Sequence, residues 1–123
     1  MIENNKFDEQ IKKLNEAIAL LIGIDAKLPK GSFNKEHISV MQSIINVDRV
    51  RTILQECNDL NIGQYTEVLS SLNKATSMLI STNIILCEKG GSVPVNQSLI
   101  NINNVKDDIM AICSSIANNN EGM

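Results

Sequence analysis

His37 is the single histidine of this 123-residue chain. It is the side chain best suited to proton transfer near neutral pH, because imidazole alone titrates there without perturbation. To activate a serine or cysteine it needs a partner within hydrogen-bond reach. No cysteine or carboxylate stands at ligand spacing around it. Beside Glu36, where a helix is expected to begin, His37 is read as an exposed helix-start residue. The carboxylates offer no stronger lead. Glu9 and Glu16 stand seven residues apart, but neither belongs to the Glu-x-x-His pair that a di-iron bundle uses. Asp107 and Asp108 are expected in the first turn of a helix, where negative charge complements the helix dipole.

Cys57, Cys87 and Cys113 are widely spaced and odd in number, with no Cys-x-x-Cys or Cys/His cluster. That pattern fits neither a zinc site nor a disulfide framework. Three reduced, buried thiols are expected, since free cysteine packs as a small hydrophobe. Gly90-Gly91-Ser92 lacks the lysine and the preceding strand of a phosphate loop and reads as a helix cap. Arg49 and Arg51 are the only arginines, and a guanidinium fork binds carboxylate or phosphate well. Two residues apart, they point about 200° from one another on a continuous helix. Both reach one ligand only if the helix breaks at Asn46–Asp48. No catalytic residue, no metal site and no cofactor is expected, and the chain is read as not an enzyme.

Bulk composition narrows the partners. Eleven basic residues face fourteen acidic ones, for a net charge of -3, and Phe7, Phe33 and Tyr65 are the only aromatics. Nucleic-acid binding normally uses a basic face, and single-strand binding uses aromatic platforms, so no nucleic acid is expected. No stretch reaches the ~18 apolar residues of a membrane span, and Met1-Ile2-Glu3 lacks the basic start of a signal peptide. No membrane association and a cytoplasmic location are therefore expected. Abundant Asn, Ile and Lys have AT-rich codons, which points to a low-GC bacterium, phage or plasmid.

The elements that carry these residues read as helices. Phe7, Ile11, Leu14, Ile18 and Leu21 follow 4-3-4-3 spacing and predict helix 1. Asp25 falls on that stripe, so the packed part is expected to end before it. Pro29 and Gly31 mark a loop. Asn34 is a good N-cap for helix 2, which runs to about Asn58. Its pattern is unusual. Ile38, Met41, Ile44 and Ile45 point one way; Val47, Val50, Ile53, Leu54 and Cys57 point nearly the opposite way. Either the helix breaks near Asn46–Asp48 or it buries opposite faces in its two halves. Asn61 with Gln64 forms a capping-box variant at the start of helix 3. Tyr65, Val68, Leu72, Ala75, Leu79 and Leu86 form its seam, with Ser70, Ser77 and Ser81 toward water. Ser92 to Asn103 either opens helix 4 or forms an extended arm. By Asn104 the helix is firm, carried by Val105, Ile109, Ile112 and Ile116.

These elements predict an all-α fold, an antiparallel bundle of about four helices, in one domain over 1–117 with a flexible tail at 118–123. The helices carry more apolar surface than a single bundle needs. Ile80, Ile84 and Cys87 form a second stripe on helix 3, and Met78 and Ile85 lie on a third side. Leu69, Met78, Ile80, Ile84 and Ile85 are the candidate interface. The expected function is a non-catalytic protein-interaction module that also self-associates as a homo-oligomer: an adaptor, a chaperone, or a phage- or plasmid-encoded inhibitor. The alternative is a small-molecule or nucleotide binder, with Arg49 or Arg51 lining a pocket between helices or subunits.

Overall fold

A computed structural model describes residues 6–27, 31, 34–57, 59–87 and 92–113; of Asn34, residues 84–87 and Ser92 it describes the backbone alone. Four α-helices follow one another: α1 (Asp8–Lys27), α2 (Asn34–Glu56), α3 (Ile62–Cys87) and α4 (Ser92–Ile112). No strand occurs among the described residues. Each helix packs on its two chain neighbours, and α1 closes the ring on α4.

Side-chain bridges fix the register. Arg51 donates to Asn15 at 2.8 Å and His37 meets Asp25 at 2.6 Å, so α1 and α2 run antiparallel. Lys106 donates to Asn73 at 3.3 Å and Asn83 to Asn96 at 2.8 Å, which makes α3 and α4 antiparallel as well. The bundle is therefore up-down-up-down. Its upper end holds the α1–α2 and α3–α4 connections. Its lower end holds the α2–α3 connection, the start of α1 and the end of α4.

Local sequence explains the helix ends. Asp8 and Glu9 open α1 and Lys27 closes it, each sign matching the dipole. Gly31, in the connection to α2, adopts a φ of 87°, a left-handed conformation that costs glycine little. At the start of α3 the backbone N–H of Gln64 donates to the Asn61 side chain at 2.8 Å. The Asn61 N–H donates to the Gln64 side chain at 3.0 Å, completing the reciprocal box. Pro94 sits in the first turn of α4, where a missing N–H is harmless.

Several elements differ from the sequence reading. Helix α1 runs on to Lys27, but its packed part ends at Ile24, before Asp25, as expected; Asp25 pairs with His37. Helix α2 neither breaks nor switches faces. It is continuous across Asn46–Asp48 and buries one seam, Val40, Ser43, Val47, Val50 and Leu54. The seam is polar in its first half, which is why hydrophobicity alone points the wrong way there. Ser43 satisfies its hydroxyl on the Ser39 carbonyl at 2.8 Å, and Asn46 donates to the Gln42 carbonyl at 3.0 Å. Helix α4 starts at Ser92 and has no extended arm. Asp107 and Asp108 consequently lie toward the C-terminal end of the helix and not in its first turn. The seam of α3 runs as expected through Tyr65, Val68, Leu72, Ala75 and Leu79. Leu86, Gly90-Gly91 and the tail 118–123 lie outside the described residues or side chains.

The two halves of the bundle are built differently. In the lower half Phe7, Leu14, Leu54, Val68, Val105 and Ile109 are fully buried, with Gln10 and Ser71 as buried polar side chains. In the upper half Ser43, Thr82, Ser98 and Asn101 are buried. Thr82 and Ser98 return their hydroxyls to the Met78 and Pro94 carbonyls, each at 2.9 Å. Outside that same half, Ile22, Ile38, Met41, Ile45, Ile80, Val93 and Ile100 are exposed.

Candidate functional site

His37 is not an exposed helix-start residue. It is half-buried, and its Nδ1 lies 2.6 Å from Asp25 Oδ1 across the α1–α2 connection. A carboxylate that fixes an imidazole in this way is one half of an acid–base device. The remaining ring nitrogen, Nε2, is itself buried. The pair links two helices at the upper end.

Arg49 and Arg51 do not converge. Since α2 is continuous, Arg49 points outward and is exposed, while Arg51 turns toward α1, donating to Asn15 and pairing with Asp48. Asp108 accepts from Gln10 and from Lys13, both at 3.1 Å. The Gln10 amide, then the Lys13 ammonium, hold its carboxyl below the usual carboxylate range. At the lower end Lys6 pairs with Asp59 at 3.2 Å, which lowers that carboxyl too. Cys57 and Cys113 stand as thiols near this end, both pushed up by burial and next by the Asp59 charge. Raised thiols are poor nucleophiles and poor metal ligands. No cluster of three or more potential metal ligands occurs among the described residues. No helix of the described chain is long and apolar enough to cross a membrane.

The side chains proposed as an interface on helix 3 fall in different settings. Leu69 is partly buried against the core, Met78 is half-buried, and Ile80 is exposed. The side chains of Ile84 and Ile85 lie outside the described ones. Ser70, Ser77 and Ser81 are exposed as expected; the first two line an open trough on α3 with Thr66, Asn73, Lys74 and Met78.

A different surface is more continuous. Ile38, Met41 and Ile45 repeat at 3-4 spacing on α2, about 160° round the helix from its buried seam at 100° per residue. They are 57%, 46% and 54% exposed. Farther down, the same stripe becomes Arg49, Thr52 and Glu56. The α1–α2 bridges set Ile22, 55% exposed, level with the stretch from Val40 to Ile44. Ala19 and Ala26, both exposed, extend this surface along α1. The result is an apolar-rich face across the upper part of α1 and α2, beside the partly exposed Asp25–His37 pair. Its signal was present in the sequence as the first apolar direction of helix 2. That direction reads as core only because the true core positions there are serine and asparagine.

No protein-family model, no curated protein and no solved structure matches this chain.

Proposed function

We propose that the protein is a non-catalytic protein-interaction module whose docking face is the upper outer surface of α1 and α2. One observation carries the reading: in this half apolar side chains stand outside while Ser43, Ser98 and Asn101 occupy the core. A chain selected only to fold would gain about 1.5–3 kcal/mol for each large aliphatic side chain moved from water into the core. Leaving Ile22, Ile38, Met41 and Ile45 outside forgoes that stabilisation. Contiguous apolar surface of this kind marks sites that another protein covers. Arg49 and Arg51 point apart on the continuous α2, which favours this reading over an anionic ligand shared by the two.

The test is affinity capture from an extract of the cells that make the protein. It compares wild type, the α2-face double variant Met41→Lys/Ile45→Lys, and the lower-end control Ile62→Lys, which is also an exposed apolar position. A prey held by wild type and by the control, and lost from the α2 variant, is the expected result. Identical prey on all three, with all three folded, would overturn this placement of the docking face.

A further inference from the structure

We propose that two copies of the chain pair antiparallel through the outer face of α1, about a two-fold axis passing between Leu21 and Ile22. This goes beyond the α1–α2 docking face. It uses the shoulder of α1 toward α4, which adjoins that face at Ala19.

Glu16, Leu20, Gly23 and Lys27 repeat at 4-3-4 spacing, so they form one straight stripe on α1. Glu16 and Lys27 are exposed; Leu20 and Gly23 are half-buried. A groove runs beside the stripe. Its lower part, of about 460 Å³, is lined by Glu16, Ala19, Leu20, Gln97 and Asn101. Its upper part, of about 160 Å³, continues past Gly23 to Lys27 and Pro94. The two parts share Ala19 and Leu20 and so form one trough.

The stripe is complementary to itself. In an antiparallel pair about the stated axis, residue numbers in contact sum to 43. Glu16 then meets Lys27 of the second copy, and Leu20 meets Gly23 of the second copy. Two-fold symmetry repeats both contacts in reverse. Opposite charges close each end, and a leucine faces a glycine in the middle. Among the described residues, no atom beyond the helix's own backbone lies within 4 Å of a Cβ built on Gly23, which leaves space there for the incoming leucine. Reversing the pair to parallel would set Glu16 against Glu16 and Lys27 against Lys27.

A buried polar group marks the same groove. Asn101 is 6% exposed and lines it, and its Nδ2 has no hydrogen-bond partner among the described residues. Its Oδ1 accepts from Gln97 at 3.4 Å. The bridges from Gln10 and Lys13 to Asp108 place Asn101 level with residues 17–20 of α1. In the proposed pair that level holds residues 23–26 of the second copy, so the pairing covers the groove beside Asn101.

The overlap spans Glu16 to Lys27, about three turns at 3.6 residues per turn. That is at the small end of specific interfaces, so a dissociation constant on the order of micromolar or weaker is expected. Sedimentation equilibrium of the full chain from roughly 10 μM to 1 mM covers this range. Wild type is expected to show a monomer–dimer equilibrium. Glu16→Lys alone, or Lys27→Glu alone, creates two like-charge contacts per dimer and should weaken it about tenfold. An equal mixture of the two single variants should recover wild-type strength as a heterodimer, because every contact is again of opposite sign. The chain carrying both changes should recover it alone. Recovery on mixing also excludes misfolding as the cause of the loss. Met41→Lys/Ile45→Lys should leave the dimer constant unchanged, so failure of this pairing and failure of the α2 docking face are separable. A wild type that stays monomeric across the range would overturn the pairing. So would single reversals without effect, no recovery on mixing, or loss of the dimer in the α2 variant.

Discussion

Val47→Ala and Ile45→Gln, two residues apart on α2, should have very different effects on stability. Val47 is fully buried in the seam, whereas Ile45 is 54% exposed on the outer stripe. Shortening Val47 removes the equivalent of two methylenes, about 1.6 kcal/mol of transfer free energy at ~0.8 kcal/mol each. The cavity left in a close-packed interior raises the cost to about 2–3 kcal/mol. Ile45 already meets water over half its surface and keeps its stem in glutamine, so its loss should stay below about 1 kcal/mol. For a domain of this size each kcal/mol shifts Tm by roughly 3–6 °C. Val47→Ala should therefore melt about 6–18 °C below wild type and Ile45→Gln only a few degrees below it. Urea unfolding with matched m-values gives the free energies directly. An Ile45→Gln variant as unstable as Val47→Ala would mean that the first half of α2 buries its isoleucine face. The outward stripe would then not exist.

Three further outcomes follow from particular contacts. Asp108 has a folded pKa below its unfolded value of about 3.9, so its bridge to Gln10 and Lys13 stabilises the fold above that pH and is lost as pH falls through the folded value. Asp108→Asn should accordingly be destabilised at pH 7 and close to wild type at the acid end of a urea-unfolding pH series. Gly23 lies inside α1 with open space at its Cβ position, so Gly23→Ala should raise Tm of the dilute protein by the helix-propensity gain of about 0.5–1 kcal/mol. Burial raises both thiols, so Cys57 and Cys113 should react with a disulfide reagent near neutral pH far more slowly in native protein than in urea. Equal rates in the two states would contradict their placement.

The fold was legible wherever core positions carry core residues. Phe7, Leu14, Ile18 and Leu21, and the series from Tyr65 to Leu79, are buried in the periodicity that predicts them. Legibility failed where the bundle puts polar side chains inside. Ser43 and Asn46 occupy inward positions of α2, so its isoleucines pull the apparent face outward. Ser98 and Asn101 do the same in α4 and blur its first half into an ambiguous segment. All but Asn101 among these four satisfy themselves on the carbonyl four residues back, an economy that leaves no mark on hydropathy. The pairs that cross between helices were invisible for another reason. His37 finds Asp25 twelve residues away across a turn, and Asp108 finds Gln10 from the opposite end of the chain. Such partners are set by packing, and no local spacing announces them. The docking face was half legible: its residues stood out as surplus on helix 2, but their direction did not.

Oxidative footprinting tests the docking face most directly, because the chain carries its own control. Met41 lies on that face and Met110 lies near the lower end of α4, and both are 46% exposed. Equal exposure predicts comparable sulfoxide formation in the purified, dilute protein. In an extract of the cells that make the protein, a partner seated on α1 and α2 should protect Met41 and leave Met110 as reactive as before. Met41 and Met110 oxidised to the same extent in the extract as in the dilute protein would contradict coverage of this face.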